Sequence, residues 1–552
     1  MELNDDQKKN FALLEIEKLL CSNGKSLKNF PPMPIPEECS TFDLQNRLVM
    51  DQLNYDKEAL KLESEQLIFN MTEEQKYAFD TIMECVNHKT SKVFFLNGYG
   101  GTGKTYVWKA LSAAVRSRGQ IVLNVASSGI ASLLLPGGRT AHSQFSIPLQ
   151  IDDESTCNIK QGSPLSQLIR KTSLIIWDEA PMVKRQCFEA VDRTFRDLLR
   201  PDNPNSEQLL FGGKIIVFGG DFRQILPVIP KGSRADIVHH ALNSSYIWNY
   251  CQVLTLSKNM RLNSVNNSQS AEELKSFAEW ILNIGDGKLN EPNDGEAEIE
   301  IPEELLIRNY TEPLDAIVSY AYPNLQQHFN DPSFFKDRAI LAPTLEAVEK
   351  INDYVLSQIP GAETTYLSSD SVCKTTHVDN LQHTLYTPEF LNSIKTSGLP
   401  NHKLTLKIGV PVMLLRNIDQ SQGLCNGTRL IVTQLGSHVI GAIVMNSSNF
   451  GQQVFIPRMN LTPSDTKWPF RLQRRQFPLT VSYAMTINKS QGQSLETVGL
   501  YLPRPIFTHG QLYVAISRVK SKGGLKILIH DKDNMNLNVT NNIVYKEVFQ
   551  NI

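Results

Sequence analysis

The sequence predicts an α/β fold built on parallel sheets, and two observations support this class. Apolar runs at residues 121–126, 173–177, 214–218 and 253–256 have the length of strands, and helical stretches separate them. A second strand-then-helix pattern begins at residues 337–352. Strands that alternate with helices along a chain typically form a parallel sheet. We therefore expect two α/β units in this chain of 552 residues.

A glycine-rich loop at residues 97–105, NGYGGTGKT, joins the apolar run 93–96 to a helical pattern. Glycine lets the backbone approach a ligand closely, and a helix start offers unpaired N–H groups to an anion. The spacing matches the phosphate-binding P-loop, whose lysine reaches the β- and γ-phosphates and whose threonine binds Mg²⁺. The alternative is a plain turn with a surface lysine. The predicted nucleotide-binding residues are Gly98, Gly100, Gly101, Thr102, Gly103, Lys104 and Thr105.

Two adjacent acids, Asp178 and Glu179, follow the apolar run 173–177. A carboxylate at the end of a strand can hold Mg²⁺ through water, and its neighbour can orient or deprotonate an attacking water. The alternative is an exposed acidic turn. Because the pair follows the P-loop in a matching α/β order, we predict that Thr105 and Asp178 hold Mg²⁺. Glu179 is then the catalytic base of nucleotide hydrolysis.

Three further polar residues end apolar runs. Gln224 lies in the segment VFGGDFRQILPV, where it could sense a γ-phosphate by hydrogen bonding. Arg261 and Arg518 close the segments TLSKNMR and YVAISRV, and a guanidinium group can clamp a transferring phosphoryl group. A lone arginine is usually a surface residue, so each arginine alone is weak support for catalysis.

Composition restricts the partners and the compartment. The formal net charge is −2, so any nucleic-acid surface must be local. The eight cysteines include no C-x-x-C spacing, which argues for reduced thiols and against a disulfide framework or structural zinc. No apolar run approaches the roughly 18 residues of a membrane span, and acidic residues in the first 30 argue against a signal peptide. We expect no membrane partner.

Nine motifs together resemble superfamily 1B DNA helicases of the Pif type (Pif-one), and within them the helicase region of Helitron transposons. They span residues 72–519 in the family's order, and the segment at residues 10–31 is similar to the Helitron sequence upstream of its helicase motifs. The motifs are TEEQKYAFD, GYGGTGKT, VASSGIASLLLPGGRTAHSQFSIP, LIIWDEAPM, FGGDFRQILPV, NMR, GLCNGTR, INKSQGQSL and YVAISRV.

The resemblance implies two RecA-like P-loop NTPase domains with a small SH3-like β-barrel inserted in the second. Short alternating β-like runs over residues 406–480 independently suggest a small barrel. An accessory segment would come first, and the first RecA-like domain would carry a wedge insert at about residues 128–165. The expected boundaries are 1–65 for the accessory segment, 66–260 for domain 1A, 261–405 with 481–552 for domain 2A, and 406–480 for domain 2B.

The resemblance also assigns roles to single residues. Gln75 would read adenine, Gln224 would couple nucleotide state to DNA, and Arg261 and Arg518 would be two arginine fingers. In place of the family's His-Lys-Ser-Gln-Gly, this chain has asparagine at position 488, which puts that one contact in doubt. The residues in DNA-contacting segments are Ser127, Ser128, Thr140, His142, Phe145, Asn426, Gly427, Thr486, Lys489, Ser490 and Gln491.

Two of these assignments have open alternatives on the residues alone. An aromatic ring and a histidine beside small polar residues suit base stacking, but His142 and Phe145 are equally compatible with ordinary packing. The basic run RLQRRQ at residues 471–476 is either a DNA contact or a solvated hairpin.

The resemblance implies an ATP- and Mg²⁺-dependent 5′-to-3′ DNA helicase that acts on single-stranded and tailed duplex DNA, with roles in DNA repair and recombination. It implies a monomeric motor core, which could form part of a larger transposon protein. We expect a nuclear location in a eukaryote and a cytoplasmic one otherwise.

Three rival functions have different sequence requirements. A regulatory nucleotide-switch ATPase would lack a second α/β domain with an arginine finger. An inactive, transposon-derived DNA-binding protein would not need the intact catalytic positions. A transposase nuclease would need a His-x-His pair with a downstream tyrosine, which we do not find.

Overall fold

A computed structural model describes residues 46–260, 268–290, 295–373, 386–396, 398–420, 422–445, 449–463, 468–530, 538–550 and 552, with isolated positions before residue 46. Most of the first 45 residues, including most of the Helitron-like segment at 10–31, lie outside the described residues. Arg261 also lies outside them.

Within the described residues, six parallel strands form the first sheet. Their order is β3-β2-β4-β5-β1-β6, and every neighbouring pair is parallel. The side chains of β2 and β5 are buried throughout, which explains their continuous apolar runs. The strands are β1 (Val93–Gly98), β2 (Ile121–Ala126), β3 (Arg139–Thr140), β4 (Thr172–Asp178), β5 (Ile215–Gly220) and β6 (Cys251–Leu256).

Helices precede and separate these strands. The fourth helix begins at Lys104, directly after the P-loop, and buries Val107, Trp108, Leu111 and Val115 at helical spacing against the sheet. The helices are α1 (Arg47–Leu53), α2 (Lys57–Phe69), α3 (Glu73–His88), α4 (Lys104–Ser117), α5 (Gly129–Leu133), α6 (Ala141–Gln144), α7 (Pro164–Lys171), α8 (Arg185–Leu199) and α9 (Arg234–His239).

The rest of the chain is richer in strands. Its helices are α10 (Ser268–Gly285), α11 (Pro313–Ala321), α12 (Leu325–His328), α13 (Pro332–Lys336), α14 (Leu345–Gln358), α15 (Pro388–Ser393) and α16 (Gln511–Ile516). Its strands are β7 (Glu296–Glu300), β8 (Arg338–Ala342), β9 (Thr364–Leu367), β10 (Ser369–Val372), β11 (Lys403–Leu406), β12 (Pro411–Leu414), β13 (Arg429–Leu435), β14 (Val439–Val444), β15 (Gln453–Pro457), β16 (Met459–Leu461), β17 (Leu472–Gln476), β18 (Leu479–Val481), β19 (Ala484–Thr486), β20 (Thr497–Leu502), β21 (Leu525–Ile529) and β22 (Val539–Ile543).

A second parallel sheet has the order β19-β8-β20-β21. Its neighbours are parallel throughout, and α14 follows β8 as the pattern at residues 337–352 predicts. Ile340 and Ala342 of β8 are buried together with Val348 and Ile351 of α14 in one hydrophobic core. Two parallel sheets with helices packed on them fit the two RecA-like domains that the resemblance implies.

The predicted insert at residues 406–480 is rich in antiparallel strands, and these strands enter more than one sheet. Five strands have the order β15-β14-β13-β12-β18, whereas β16 and β17 pair instead with β10. Strand β11 pairs with β9. An SH3-like barrel stays a prediction, as do the domain boundaries.

The basic run at residues 471–476 forms β17, and its central arginine is not on the surface. Arg474 has no exposed area and forms an ion pair of 2.6 Å with buried Asp370. The guanidinium group also donates to the carbonyl oxygens of Leu391, Ile394 and Pro400. For Arg474, both the DNA contact and the solvated hairpin are therefore wrong, because a partner distant in the chain holds it inside.

The C-terminal segment joins the two parallel sheets. Strand β22 pairs with β7, and Ile543, Tyr545 and Val548 then pack into a hydrophobic core of the first sheet. Asn243 Nδ2 donates to the Val548 carbonyl at 2.9 Å, and Arg234 pairs with Glu547 at 2.9 Å. These contacts attach the segment after β22 to the first RecA-like unit. In the part of the chain that is described, no helix has the length and apolar character needed to cross a membrane.

Candidate nucleotide-binding cleft

The P-loop has a backbone that only glycine adopts readily. Gly101 and Gly103 have φ values of +102° and +87°, a region that side chains disfavour. A Cβ atom on Gly103 would also lie 2.4 Å from Gln75 Nε2. Lys104 Nζ donates to the carbonyl oxygen of Gly98, so the lysine lies back along the loop. The loop therefore forms a cradle with its lysine in place.

Gln75 connects helix α3 to the P-loop. Its Nε2 donates to the Thr102 carbonyl at 3.1 Å, and its Oε1 accepts from the Thr72 amide at 3.1 Å. Thr72 caps α3 in return, which completes a capping box. The structure thus uses the Gln75 amide to hold the loop, and its role as the adenine reader stays a prediction.

Asp178 ends β4 and is buried. Its Oδ1 atom has no partner within hydrogen-bond geometry among the described residues. Burial raises the pKa of Asp178, and the nearby Lys104 and the Trp108 indole N–H oppose that shift. A buried carboxylate oxygen without a partner is unfavourable by itself, but hard cations take oxygen ligands of this kind. The site therefore fits a divalent cation such as Mg²⁺.

Glu179 follows β4 in a left-handed backbone conformation, with φ 51° and ψ 38°. A non-glycine residue in this region is uncommon, and such strain often occurs at functional sites. Burial raises the pKa of Glu179, and Asp178 and Asp221 raise it further, whereas Lys104 and Arg518 oppose the shift. The left-handed turn at Glu179 ends β4 directly after Asp178, so the two adjacent acids have different backbone conformations.

Two side chains from different RecA-like units meet above this site. Gln224 follows β5 and is buried, and Gln491 Nε2 donates to its Oε1 over a long 3.5 Å. Gln491 follows β19 in the second unit. A residue predicted to sense nucleotide therefore directly contacts a residue predicted to bind DNA.

Arg518 reaches the cleft from the second unit. It follows α16 and is 7% exposed, and its Nε donates to the Val514 carbonyl at 2.8 Å. Its Nη1 donates to the Gln493 carbonyl at 3.1 Å. Its effect on the pKa of Glu179 locates it near the catalytic acids. The structure thus brings Lys104, Asp178, Glu179 and Arg518 around one cleft.

The described chain before Arg261 runs beside the P-loop. Met260 donates its amide to the Gly101 carbonyl at 2.9 Å, and Tyr99 Oη donates to the Ser257 carbonyl at 2.6 Å. Glu74 accepts from the Ser257 amide at 2.8 Å. Several contacts therefore attach residues 257–260 to the nucleotide site.

Several predicted DNA residues of the first unit form hydrogen bonds within the protein or are buried in it. Ser128 Oγ accepts from the Ala131 amide at 3.1 Å and caps α5, and Ser127 Oγ accepts from Trp177 Nε1 at 3.1 Å. Thr140 is buried at the start of α6. Burial lowers the pKa of His142, so its ring is neutral near pH 7. Their DNA contacts stay predictions.

Phe145 does not face solvent. It has 0% exposure, and its ring centroid lies 5.8 Å from that of Trp177 and 5.5 Å from that of Phe195. A fully enclosed ring offers no face to a base, so the prediction that Phe145 stacks on DNA is wrong. Ordinary packing, the alternative open from sequence, describes this residue.

The predicted DNA residues of the second half converge on α5. Lys489 Nζ donates to Asn426 Oδ1 at 3.1 Å, and a Cβ atom on Gly129 would lie 2.8 Å from the Asn426 carbonyl. The neighbouring Gly427 has φ +93° and faces Ile130. Three segments distant in sequence thus meet at the first turn of α5.

The remaining predicted DNA residues surround the short 3₁₀ helix Ile487–Ser490. Thr486 precedes it, while Ser490 is fully buried and donates to the Ile487 carbonyl at 2.7 Å. Gln491 is also buried. These positions shape the junction, and direct contact with DNA stays a prediction for each.

Sequence reasoning missed three polar residues near the cleft. Asp221 follows β5 and is buried, and Tyr513 Oη donates to its Oδ2 at 2.6 Å. Arg416 is near Lys489, and burial together with Arg416 lowers the pKa of that lysine. The segment VFGGDFRQILPV contained a signal for Asp221, since this acid directly follows the buried strand β5, much as Asp178 ends β4. No pattern in the neighbouring sequence identifies Tyr513 or Arg416 as candidate functional residues.

Two family models match the chain. The model described as PIF1-like helicase matches residues 70–295, and the model described as DNA helicase Pif1, 2B domain, matches residues 389–435. The first match contains the P-loop, Asp178, Glu179 and Gln224. The second contains Asn426 and Gly427.

Curated proteins from animals and bacteria are similar over most of the chain. ATP-dependent DNA helicase PIF1 of Xenopus laevis is 26% identical over 494 residues, covering 88% of this chain and 65% of the relative. The Danio rerio protein of the same name is 26% identical and covers 83% and 62%. ATP-dependent DNA helicase Pif1 of Bdellovibrio bacteriovorus is 26% identical and covers 83% and 88%. The chain thus spans slightly under two thirds of the two animal relatives.

Solved structures share the fold. The crystal structure of Pif1 helicase from Candida albicans has a TM-score of 0.57 at 23% identity, covering 87% of this chain and 98% of that one. A structure of two coordinating Pif1 helicases at forked double-stranded DNA has a TM-score of 0.57 at 24% identity, covering 83% and 91%. These likenesses confirm the α/β class with two RecA-like domains.

Proposed function

Because the chain belongs to the PIF1-like helicase family, we propose that it is an ATP-dependent DNA helicase. It moves 5′-to-3′ along single-stranded DNA and separates duplex ahead of it. The observation that carries this proposal is the cleft, where the P-loop, the buried Asp178 and the half-buried Glu179 face an arginine from a second RecA-like unit. The relatives named ATP-dependent DNA helicase give the substrate class.

ATP binds with its phosphates on the P-loop. The backbone amides of the loop and of the first turn of α4 surround the β- and γ-phosphates, and Lys104 Nζ leaves the Gly98 carbonyl to reach them. Thr105 and Asp178 would hold Mg²⁺, which would neutralise charge on the phosphate oxygens. Support for the metal comes from the buried Asp178 Oδ1, which otherwise has no partner in the described residues.

Glu179 accepts a proton from the attacking water. Its raised pKa makes it a stronger base than an exposed glutamate. Arg518 and Arg261 then stabilise the charge that spreads over the transferring phosphoryl group. The contacts of residues 257–260 with the P-loop support this role for Arg261.

Hydrolysis couples to DNA through the contact between Gln224 and Gln491. DNA lies across both RecA-like units, near the junction where Lys489, Asn426 and the start of α5 meet. Small polar and backbone groups there suit phosphate contacts, which carry no sequence information. Opening and closing of the cleft therefore moves the two units along the strand.

We expect Glu179→Gln to bind ATP with Mg²⁺, because Asp178 remains, and to hydrolyse it about 10²–10⁴-fold more slowly, the range for loss of a general base. The measurement is steady-state ATPase with saturating single-stranded DNA, beside binding of a fluorescent nucleotide. Gln substitution of exposed Glu207 is the matched control. A near-wild-type rate in Glu179→Gln would remove Glu179 from the role of base.

The wild type should also show the raised pKa of Glu179 in its pH profile. A base must be deprotonated, so turnover is complete above its pKa and is lost as the pH falls through it. Because the pKa is raised, this loss begins at a higher pH than an ordinary glutamate would give.

Tailed duplexes test the proposed activity and its direction. The chain should unwind a duplex that carries a 5′ single-stranded tail and leave a 3′-tailed or blunt duplex intact, with ATP required. Unwinding from the 3′ tail alone would overturn the polarity. An absence of DNA-stimulated ATP hydrolysis would instead favour the regulatory switch or the inactive DNA-binding protein.

We also propose an origin, an oligomeric state and a cellular location for this motor. The segment at residues 10–31 supports a Helitron-type origin, in which this motor is one part of a transposon protein. The motor core acts as a monomer, located in the nucleus of a eukaryote or the cytoplasm of a bacterium. Roles in repair and recombination follow from the proposed substrate.

A further inference from the structure

One buried hydrogen bond crosses between the RecA-like units close to the catalytic acids. Tyr513 Oη donates to Asp221 Oδ2 at 2.6 Å, although the residues are 292 positions apart. Tyr513 is 2% exposed and Asp221 is 1% exposed. Asp221 follows β5, the neighbour of β4, which leads into Glu179. The bond therefore ties α16 of the second unit to the edge of the first sheet that carries the base.

Charged partners hold Asp221 in place as the acceptor. The Arg223 amide donates to Asp221 Oδ1 at 3.1 Å, and its guanidinium group contacts the same oxygen at 3.3 Å. Arg223 Nε also donates to Asp286 at 2.5 Å. Burial and the Asp221 carboxylate raise the pKa of Tyr513 well above its ordinary value, so the phenol keeps the proton that it donates.

The backbones around this bond approach too closely for side chains. A Cβ atom on Gly510 would lie 2.2 Å from the Arg223 carbonyl, and one on Gly285 would lie 2.7 Å from the Tyr513 ring. His509 Nε2 meets the Phe222 carbonyl at 2.8 Å, which is a second contact between the same segments. The interface between these segments is therefore closely packed, and the contact of His509 with the Phe222 carbonyl stabilises it in addition to the Tyr513 hydroxyl.

Helix α16 carries both Tyr513 and the arginine that follows it. Arg518 Nε is bonded to the Val514 carbonyl of the same helix, so the guanidinium group moves when α16 moves. On the premise of the proposed function, we propose that Tyr513 is a positioning residue for ATP hydrolysis. Its hydrogen bond to Asp221 fixes α16 against the first unit and so sets the distance from Arg518 to the reacting phosphate.

The test is Tyr513→Phe, which removes one hydroxyl and keeps the packed ring. We expect kcat with saturating single-stranded DNA to fall about tenfold or more, the factor for losing a hydrogen bond to a charged acceptor. KM for ATP should change much less, because the P-loop is untouched. Tyr322→Phe is the matched control, since its buried hydroxyl donates at 2.6 Å to the Tyr483 carbonyl within the second unit.

A second arm separates positioning from a general loss of stability. In an Arg518→Ala background, Tyr513→Phe should cause no further fall in kcat, because the hydroxyl acts through that arginine. An equal further fall in both backgrounds would overturn the inference, as would a wild-type kcat in Tyr513→Phe or an equal loss in Tyr322→Phe. If the wild type itself shows no DNA-stimulated hydrolysis, the proposed function fails instead.

Discussion

We expect Lys104→Ala to abolish ATP hydrolysis and unwinding while the folded variant still binds single-stranded DNA. The physical reason is the placement of the lysine. Its Nζ donates to the Gly98 carbonyl inside the P-loop cradle. When ATP binds, it would leave that carbonyl for the phosphates that carry the charge of the transition state. Removing one preorganised charge from such a site costs at least about 10²–10³ in rate.

DNA binding survives in this variant because the candidate DNA residues lie elsewhere. Asn426, Lys489 and Gly129 meet at the start of α5, and their contacts do not involve the P-loop. The measurements are ATPase with saturating single-stranded DNA, unwinding of a 5′-tailed duplex, and DNA binding by fluorescence anisotropy at low salt. Lys109→Ala is the matched control, because Lys109 is an exposed lysine on the same helix. Loss of DNA binding by a folded Lys104→Ala variant would contradict separate sites.

Local sequence patterns predicted the parts of this molecule that depend on neighbours in the chain. The apolar run at residues 121–126 became β2 with the same bounds, and the helical pattern after the P-loop became α4. The P-loop itself follows from glycines at positions where φ is positive. Such features need only periodicity and backbone preference, which are visible in a single sequence.

Contacts between distant segments could not be predicted in this way. Arg474 belongs to a basic run that reads as exposed, yet Asp370, 104 positions away, holds it in the interior. Phe145 follows small polar residues that suit DNA contact, yet the rings of Trp177 and Phe195 enclose it. In both cases the residues that determine burial are too distant in the sequence for a local pattern to include them. Motif resemblance likewise named Gln224 and gave no reason to single out Asp221.

The arginine fingers provide the largest expected effect on rate. Charge in phosphoryl transfer spreads over the oxygens of the transferring group, and the protein contributes mainly positioning and electrostatic stabilisation. A guanidinium group suits this work because its planar fork can bind two oxygens and it always remains charged. Arg518 follows α16 in the second unit, while Glu179 and the P-loop belong to the first. In the proposed mechanism, hydrolysis therefore requires the two units to be closed.

We accordingly expect Arg518→Lys, and not only Arg518→Ala, to reduce DNA-stimulated turnover severely, within the range of about 10³–10⁵ for arginine fingers. Lysine keeps the charge but lacks the fork, and it cannot donate to both Val514 and Gln493 in the same geometry. Nucleotide affinity should change less, since the P-loop supplies most contacts. Arg504→Ala is the control, because Arg504 is an exposed arginine in the same unit.

Arg261→Ala should behave similarly, and the double variant should lose far less than the product of the two single losses. Both groups act on one transition state, so once one arginine is lost, removal of the second reduces the rate of ATP hydrolysis little further. The measurements are steady-state ATPase with saturating single-stranded DNA, fluorescent-nucleotide binding, and thermal unfolding to confirm that each variant folds, because Arg518 is buried. If a folded single variant keeps most of its turnover, that arginine is structural. Multiplicative losses in the double variant would mean that the two arginines act independently, and closure of the cleft would then not bring both to one phosphate.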